Sequence, residues 1–567
     1  MNSEETPKKL GDELLNIPKA DEINDNEKVN KLLTETKAFT RKEFTDLLLA
    51  CHNVIRNNDK LSPEAAFDEI SKILFIKINY ERAEQGREVF TLKKYKENKE
   101  VTEQYYKVND ITDFKPYMQT LFTKTKARYK DDQLFEENEI IKIRQNSFEA
   151  ILNKLKKYNL SDTSDDVKGI AFEQFLGKTF RGQLGEFFTP RTIVDFMTHI
   201  LDPMEGETIC DPCCGSGGFL IKSFEYIRGK IEEKINNSKE ILRAELEGHN
   251  FDELSEEEQI CINEKTDKML NILNKEIDVS IKESRLYNLS HNCIYGTDAN
   301  PRMARVSKMN MIMHGDGHGG VHHHDGLLNV NGIFEERFDV ILTNPPFGSR
   351  VDKDFKITDA DRFTNEDLIK KYTKLYKGAY TEALRQVNDN INTPLLDLFD
   401  TGKMSGLTEV LFMERCLKLL KKGGRMGMVL PEGVLNNSNL QKVRDYFEGK
   451  AKLILLCSIP QDVFIAAGAT VKPSLVFMKR FTESEEQEYQ IATDKAITEI
   501  TKLYNDEIIS LQGELTLIKK DRTKSKECKS IQKQLRVIDT KIKNEAKPLS
   551  KEYLIIKYQL QRLIKQG

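Results

Sequence analysis

Residues 211–220 read Asp-Pro-Cys-Cys-Gly-Ser-Gly-Gly-Phe-Leu and stand between a short apolar run, Glu207–Cys210, and a stretch with helical spacing. Glycines at a strand-to-helix turn permit tight backbone angles and let a ligand approach the main chain closely. The stretch therefore predicts a strand, a ligand-binding turn and a helix. By itself the pattern is also compatible with an ordinary tight loop, or with the nucleotide site of a dehydrogenase.

An acidic residue at the end of the next strand would strengthen the ligand-binding interpretation, because carboxylates bind ribose hydroxyls. Asp298, the last residue of the segment IYGTD, is such a residue. It follows the glycine turn at a longer distance than is usual, since a charged helical insertion at about 228–290 intervenes.

Short apolar runs and helical stretches alternate between about residues 166 and 480. This alternation predicts an α/β domain with a mostly parallel sheet that is covered on both faces, and functional residues at the carboxyl ends of its strands. A second insertion at about 350–405 is charged and has no strand pattern. The candidate strands are Glu207–Cys210, Cys293–Gly296, Phe338–Leu342, Arg425–Leu430, Leu453–Ile459 and Ser474–Met478.

Helical segments flank this domain. Residues 1–38 are polar, which predicts a flexible arm, and residues 39–165 predict an all-α domain in which Ser62-Pro63 starts a helix. Residues 481–567 predict a helical or coiled-coil segment, because Ile531, Leu535, Ile538 and Ile542 form one apolar stripe. From residue 519 to the end, 15 Lys+Arg face 5 Asp+Glu, which fits either a solvated helical face or a surface that contacts phosphate or a partner.

Composition excludes several classes of protein. The chain has 567 residues, 39% of them hydrophobic, which excludes global disorder and predicts several domains. Its 87 Lys+Arg and 91 Asp+Glu leave a net charge of −4, so the overall charge does not indicate a nucleic-acid partner. Nine Cys are too few for a disulfide scaffold, no apolar run is long enough for a membrane span, and the first residues lack a secretory pattern. We therefore expect a cytoplasmic protein without membrane contact.

A second motif, Asn344-Pro345-Pro346-Phe347, follows the candidate strand that begins at Phe338. Two prolines rigidify the turn, the Asn344 side chain and the Pro345 carbonyl can accept hydrogen bonds from one NH2 group, and Phe347 can stack on a planar base. These are the features that methylation of an exocyclic amine requires, because two acceptors free the nitrogen lone pair for attack on a sulfonium methyl.

A metal site is not expected. Cys210 and Cys213 form a lone C-x-x-C without a second pair at suitable spacing. Five histidines, from His314 to His324, lie among glycines that indicate a loop, so adventitious binding is the most that this cluster suggests.

The order of the motifs resembles the adenine-N6 DNA methyltransferases, and among them the modification (M) subunits of type I restriction–modification systems. The resemblance runs from about Lys42 to Arg480 and includes GEFFTPR at 185–191, YGTD at 295–298 and KGGRMGMVLPEGVL at 422–435. It implies a Rossmann-like core that uses S-adenosylmethionine, with Asn344, Pro345, Pro346 and Phe347 as the catalytic motif. The residues that it assigns to the cofactor are Glu186, Phe187, Phe188, Thr189, Pro190, Arg191, Asp211, Gly215, Ser216, Gly217, Gly218, Phe219, Asp298 and Asp325.

The same resemblance implies the partners. No evident domain for reading base edges follows residue 480, which fits an M subunit that takes its specificity from a separate S subunit. The implied assembly contains double-stranded DNA with a flipped adenine, a second M copy and, for restriction, an R subunit. Alternatives are a single-chain adenine-N6 methyltransferase or restriction enzyme, a methyltransferase of a protein glutamine, and a non-enzymatic scaffold that keeps the fold.

Overall fold

A computed structural model gives the structure of most of the chain. The described residues are 26–83, 90–112, 115–130, 134–157, 159–160, 165–180, 189–248, 251, 254–279, 281–315, 320–465, 472–518 and 525–566.

One seven-stranded sheet forms the centre of the protein, with the strand order β3-β2-β1-β4-β5-β7-β6. The strands are β1 Ile209–Asp211, β2 Ile294–Asp298, β3 Val321–His323, β4 Phe338–Thr343, β5 Leu420–Pro431, β6 Ala451–Ser458 and β7 Pro473–Arg480. The first five strands pair in parallel, whereas β7 runs antiparallel to both β5 and β6. The expected α/β class is confirmed, with a sheet that is mixed at one end.

The strand order reverses beside β1. Its neighbours are β2 on one side and β4 on the other, and both pair with it in parallel. In such a sheet the crevice outside the carboxyl ends of the strands at this point is where ligands bind. The loops after β1 and β4, which carry the two predicted motifs, are therefore next to each other.

Helices make up most of the rest of the described chain. They are α1 Asn26–Asp59, α2 Pro63–Ala83, α3 Leu92–Val108, α4 Tyr117–Arg128, α5 Gln145–Lys154, α6 Asp165–Phe180, α7 Arg191–Leu201, α8 Gly218–Glu247, α9 Glu256–Lys275, α10 Arg285–Asn288, α11 Pro301–Met313, α12 Glu366–Tyr376, α13 Gly378–Asn388, α14 Thr408–Leu419, α15 Glu432–Asn436, α16 Gln441–Glu448, α17 Asp462–Ile465, α18 Glu483–Leu503, α19 Asn505–Ile518 and α20 Ser525–Gln566. In the described part of the chain, no helix is long and apolar enough to span a bilayer.

Part of the arm that we expected at residues 1–38 is helical, and its flexibility stays a prediction. Residues 1–25 lie outside the described residues, but α1 already begins at Asn26. Residues 26–38 are polar, yet they are rich in Lys, Leu, Glu and Thr and contain neither Gly nor Pro, so a helix can extend through them. The remaining domain limits stay predictions.

Apolar side chains cover both faces of the sheet. Alternate residues of β4 point to opposite sides, so that Ile341 joins a cluster with α14 and Val340 joins another with α7 and α8. A third cluster lies among α1–α6 and includes Met309 and Ile312 of α11. Because α11 also contributes Met311 to the sheet cluster, this one helix joins the N-terminal helices to the sheet.

Candidate active site at the carboxyl ends of the first and fourth strands

The carboxyl group of Asp211 connects the ends of β1 and β4. Asp211 is the last residue of β1 and is buried, and its Oδ1 accepts hydrogen bonds from the Cys213 amide (3.1 Å) and the Thr343 hydroxyl (2.6 Å). Burial and, to a smaller extent, the nearby Asp298 raise the pKa of Asp211 to about 7, against the effect of these hydrogen bonds. Near neutral pH this group therefore exists in both protonation states.

The glycine turn has the backbone conformation that its sequence predicts. Gly215 and Gly217 have φ values of +52° and +86°, in the left-handed region that favours glycine. A Cβ on Gly217 would lie 2.5 Å from the Ser307 hydroxyl of α11, so this position also needs glycine for space. Asn310, one turn farther along α11, donates to the Ser216 carbonyl at 3.0 Å.

Asp298 braces the same turn. Its two carboxylate oxygens accept hydrogen bonds from the amides of Gly215 (2.9 Å) and Asn300 (2.8 Å). Burial raises the pKa of Asp298, and the two backbone amides oppose that shift. Each oxygen keeps a second lone pair, so the carboxylate can still accept from a ligand hydroxyl while it holds the turn.

The Asn-Pro-Pro-Phe corner contains an unsatisfied polar atom. Asn344 donates from Nδ2 to the Thr189 hydroxyl at 3.0 Å, whereas its Oδ1 is buried without a hydrogen-bond partner among the described residues. Burying an acceptor without a donor costs about 1–3 kcal/mol, and native proteins keep few such groups. Pro345 is buried and Phe347 is half-buried against an apolar cluster, so the corner is held firmly.

Glu409 fixes the far side of this corner. The Gly348 amide donates to Glu409 Oε2 at 3.2 Å, and Thr408 donates from its amide to the Ser349 carbonyl at 3.0 Å. Burial raises the pKa of Glu409. The start of α14 therefore positions the turn that follows Phe347.

The two motifs face one cavity of about 80 Å³. Its lining combines residues of the glycine turn, the Asn344 corner, α7, α8 and α11: Thr189, Val194, Asp211, Cys213, Cys214, Gly215, Ser216, Gly218, Phe219, Met303 and Asn344. The unsatisfied Oδ1 of Asn344 and the Asp211 carboxyl thus belong to residues of the same small, partly apolar space.

Several predicted cofactor residues lie outside this cavity. Arg191 begins α7 after Pro190, and its guanidinium pairs with Glu173 of α6 at 2.7 Å. Asp325 is stabilised by the Leu327 amide at 2.9 Å, and burial raises its pKa. Glu186, Phe187 and Phe188 lie outside the described residues.

Asp325 is held near the glycine turn by an unusually close backbone contact. A Cβ on Gly326 would lie 1.9 Å from the Pro212 carbonyl oxygen and 3.0 Å from the Phe412 ring. The fully buried Arg415 donates to the carbonyls of Gly326 (3.0 Å) and Leu328 (2.8 Å), which fixes the segment after Asp325.

The cysteines of the turn are not activated. Burial raises the pKa of both Cys213 and Cys214 well above the usual thiol value. The Cys213 thiol lies 2.8 Å from the Thr343 hydroxyl, and Cys214 packs against Ser307. The described residues contain no group of three or more His, Cys, Asp and Glu that could hold a metal ion; His318 is outside them.

A family of known proteins matches this sequence. The sequence profile described as "N-6 DNA Methylase" matches residues 163–254, 274–378 and 398–545, more than half of the chain. The chain belongs to the N-6 DNA methylase family. The resemblance seen in the motifs is thereby confirmed.

Individual relatives are distant. The chain is 24% identical over 318 residues to the type I restriction enzyme EcoEI methylase subunit of Escherichia coli, which covers 55% of this chain and 47% of that protein. It is 22% identical over 274 residues to the type II methyltransferase M.VspI of Vibrio sp. (strain 343), covering 48% and 43%. It thus spans slightly less than half of the length of these curated relatives. A solved modification subunit from Vibrio vulnificus YJ016 has 17% identity and a TM-score of 0.45, over 78% of this chain and 81% of that one.

Sequence reasoning did not assign five residues of the candidate site: Thr343, Val194, Met303, Cys213 and Cys214. Thr343, which donates to Asp211, directly precedes the Asn-Pro-Pro-Phe motif, and its position at the end of a strand was an available signal. Val194 and Met303 line the cavity from α7 and α11, which are distant in sequence, so no local pattern identifies them.

Replacing Asp211 with Asn tests the raised pKa. The folded state holds the Asp211 proton up to about pH 7, whereas an ordinary Asp loses it near 3.8. The stability that the folded state gains by holding this proton is therefore fully present below pH 4 and is lost as the pH rises to 7. We expect the free energy of unfolding of wild type, relative to Asp211→Asn, to fall by about 2–4 kcal/mol across that window. Urea unfolding of both proteins at pH 4.5, 5.5, 6.5 and 7.5 measures the difference in their free energies of unfolding. If that difference did not change with pH, the raised pKa of Asp211 would be contradicted.

Replacing Gly326 with Ala tests the close backbone contact. The new methyl group overlaps the Pro212 carbonyl, so the backbone must move, and we expect a loss of about 1–3 kcal/mol of stability in thermal or urea unfolding. Gly229→Ala is the matched control, because Gly229 lies inside α8 with open space around its Cβ position, and Ala there should add up to about 1 kcal/mol. Equal stability of Gly326→Ala and wild type would refute the contact.

Proposed function

We propose that this chain transfers a methyl group from S-adenosylmethionine to N6 of a flipped adenine in double-stranded DNA. It acts as the M subunit of a type I restriction–modification complex, and a separate S subunit recognises the target sequence. The observation that carries the proposal is the buried Oδ1 of Asn344, which has no hydrogen-bond partner among the described residues and lies beside the cavity that the glycine turn also lines.

The residues present fit the cofactor. Gly215 and Gly217 place no side chain in the turn at their two positions. Val194, Phe219 and Met303 give an apolar wall, and Asp211 offers a carboxyl group for a ligand amine. S-adenosylmethionine supplies a methyl group on a positively charged sulfur. Sites for ligands of this size occupy about 300–1,000 Å³, so the ligand must extend past the 80 Å³ cavity or its walls must separate.

Asn344 and its neighbours fit the amine acceptor. Thr189 accepts from Asn344 Nδ2 and thereby leaves Oδ1 oriented for a donor from the substrate. An exocyclic N–H that donates to Oδ1 meets an acceptor that is already desolvated and fixed, so little reorganisation is needed at the moment of transfer. Phe347 follows on the same rigid turn, where its ring can stack on a base that has left the duplex.

The charge of the chain and its relatives support the proposed assembly. A net charge of −4 gives the chain no large electrostatic affinity for DNA, which fits a subunit that borrows recognition from S and binds DNA together with a second M copy and, in the restriction complex, R. The EcoEI relative is named as a methylase subunit of a type I restriction enzyme. The similarity to the type II methyltransferase M.VspI favours a second candidate, an enzyme that methylates DNA without an S subunit.

The decisive experiment follows labelled methyl transfer to DNA by the full chain, alone and after co-expression with the product of a neighbouring S-like gene. We expect site-specific N6-methyladenine only with the second protein. Specific transfer by the chain alone would favour the M.VspI-like candidate, and methylated cytosine would contradict the adenine assignment.

Asn344→Ala should remove the acceptor for the target amine. We expect transfer to fall by about 100-fold or more while cofactor affinity changes less than threefold, because the side chain acts on the amine and not on the cofactor. Asn236→Ala, on the exposed surface of α8, is the control. An unchanged transfer rate in Asn344→Ala would refute the role of Oδ1.

Cofactor binding should release a proton from Asp211. A cationic amine beside this carboxyl lowers its pKa from about 7, so affinity should rise with pH between 5.5 and 7, by up to about tenfold per pH unit. Calorimetry in buffers of different ionisation enthalpy measures the proton count. Asp211→Asn should bind with no such release; the same release in both proteins would exclude Asp211 as its source.

A further inference from the structure

Helix α7 begins directly after the residue that orients the Asn344 amide. Thr189 accepts the hydrogen bond from Asn344 Nδ2 at 3.0 Å. Pro190 then occupies the N-cap position, and Arg191 is the first residue of the helix. The Pro190 carbonyl accepts from two amides of the first turn, at 2.9 and 3.1 Å, and the proline ring restricts its φ, here −55°. Movement of the first turn of α7 therefore also moves the Thr189 hydroxyl.

The start of α7 has no capping side chain. Pro190 makes no side-chain hydrogen bond at the N-cap, and the first turn contains no acidic residue. Helices commonly use such groups, because their first amides have no partner within the helix and attract negative charge. The buried residues Val194, Met197 and Leu201 anchor α7 on the sheet, but they begin only at its fourth position. The first turn therefore depends on contacts from outside the helix.

Glu173 of α6 makes such a contact. Its Oε2 lies 2.7 Å from Arg191 Nη2, and the two side chains are 22% and 52% exposed. Burial raises the pKa of Glu173, and the charges of His314 and Arg191 oppose that shift. Burial also lowers the pKa of His314, so Arg191 is the partner that stays positively charged at neutral pH. A carboxylate that is largely withdrawn from water needs such a cation, which favours a lasting Glu173–Arg191 pair.

Helix α6 is itself fixed by its neighbours. Phe172, next to Glu173 in sequence, packs against the Phe67 ring of α2 with the ring centroids 5.7 Å apart. One turn before Glu173, on the same face of α6, Gly169 lies so close to His314 of α11 that a Cβ would be 2.3 Å from the imidazole ring. Glu173 therefore reaches the start of α7 from a helix that is held on two sides.

We propose that Glu173 is a positioning residue for methyl transfer. By holding Arg191 it fixes the first turn of α7 and, through Thr189, the direction in which the Asn344 amide points. Arg191 thus serves the start of α7 and not the cofactor. The inference rests on the proposed function, but the state of α7 is measured without DNA or methyl transfer, so each can fail separately.

Hydrogen exchange of the full chain tests the structural step. In Glu173→Gln and in Arg191→Gln, the amides of residues 193 and 194 should exchange at least about threefold faster than in wild type, because the first turn opens more often. Thermal unfolding should shift by less than about 2 °C, since an ion pair with a half-exposed partner adds little to overall stability.

Lys222→Gln is the matched control for these variants. Lys222 pairs with Asp195 in the middle of α7 at 2.9 Å, and the two side chains are similarly exposed, at 26% and 47%. Its removal should leave the exchange of residues 193 and 194 as in wild type. Unchanged exchange in Glu173→Gln would overturn the proposal.

A double-mutant cycle in methyl transfer tests the functional step, with DNA and the S-like protein present. Glu173→Gln and Arg191→Gln should each lower kcat by about tenfold while cofactor affinity changes less than threefold, because the acceptor for the target amine is displaced and the cofactor is not. The double variant should be no slower than either single variant, since both changes remove one contact. Arg191→Lys keeps the charge and should retain most of the activity, and Lys222→Gln should transfer like wild type.

Three results of the cycle would overturn the proposal. An unchanged kcat in Glu173→Gln would remove its role, and a loss of about a hundredfold in the double variant would mean that the two residues act separately. A loss confined to Arg191→Gln, together with weaker cofactor binding, would place Arg191 on the cofactor. If wild type transferred no methyl group, the proposed function would fail, whereas faster exchange in Glu173→Gln would still show that Glu173 fixes the start of α7.

Discussion

The hydrogen bond between the Thr343 hydroxyl and Asp211 Oδ1 is the contact on which the candidate site depends. Parallel pairing of β1 with β4 brings the two strand ends together, and this bond of 2.6 Å joins them above the last paired residues. The glycine turn continues from Asp211 and the Asn344 corner continues from Thr343. The distance between the two motifs is therefore set by two adjacent, hydrogen-bonded strands.

Several groups of the candidate site lower the stability of the folded protein. In the part of the chain that the structure describes, no donor reaches the buried Asn344 Oδ1, and burial raises the pKa values of the Asp211 and Asp298 carboxyls. Such groups are unfavourable in a protein without ligand, and a cationic, hydrogen-bond-donating ligand relieves them. Sequences depart from the rules of good packing at functional sites, and here the departures lie within a few residues of one small cavity.

Much of the fold was predictable because long strands and glycine turns leave local patterns. The apolar runs of β4, β5, β6 and β7 and the turn after Asp211 were recognised from sequence alone. β3 was missed, because three residues among Gly and His give no period. The antiparallel placement of β7 leaves no local pattern either, because the pairing of β7 with β5 and β6 depends on how separate segments meet in space.

The candidate site also has features that the sequence predicts and features that it does not. Asn344, Asp211 and Gly215 were predictable, since each belongs to a motif whose chemistry is local. The close contact of Gly326 with Pro212 and the pairing of Arg191 with Glu173 depend on how separate segments meet in space, and no spacing in the sequence encodes them. The sequence did not predict the contacts between separate segments that hold the motifs in place.

Helix α11 is the clearest example of such support. Met309 and Ile312 pack among the N-terminal helices, whereas Asn310, on the same two turns, holds the Ser216 carbonyl of the glycine turn. A helix transmits displacement because its backbone hydrogen bonds keep its residues in fixed relation. The N-terminal helices therefore cannot shift against the sheet without either moving the turn or breaking the Asn310 contact. In this protein the helical region and the candidate cofactor turn are parts of one packed structure.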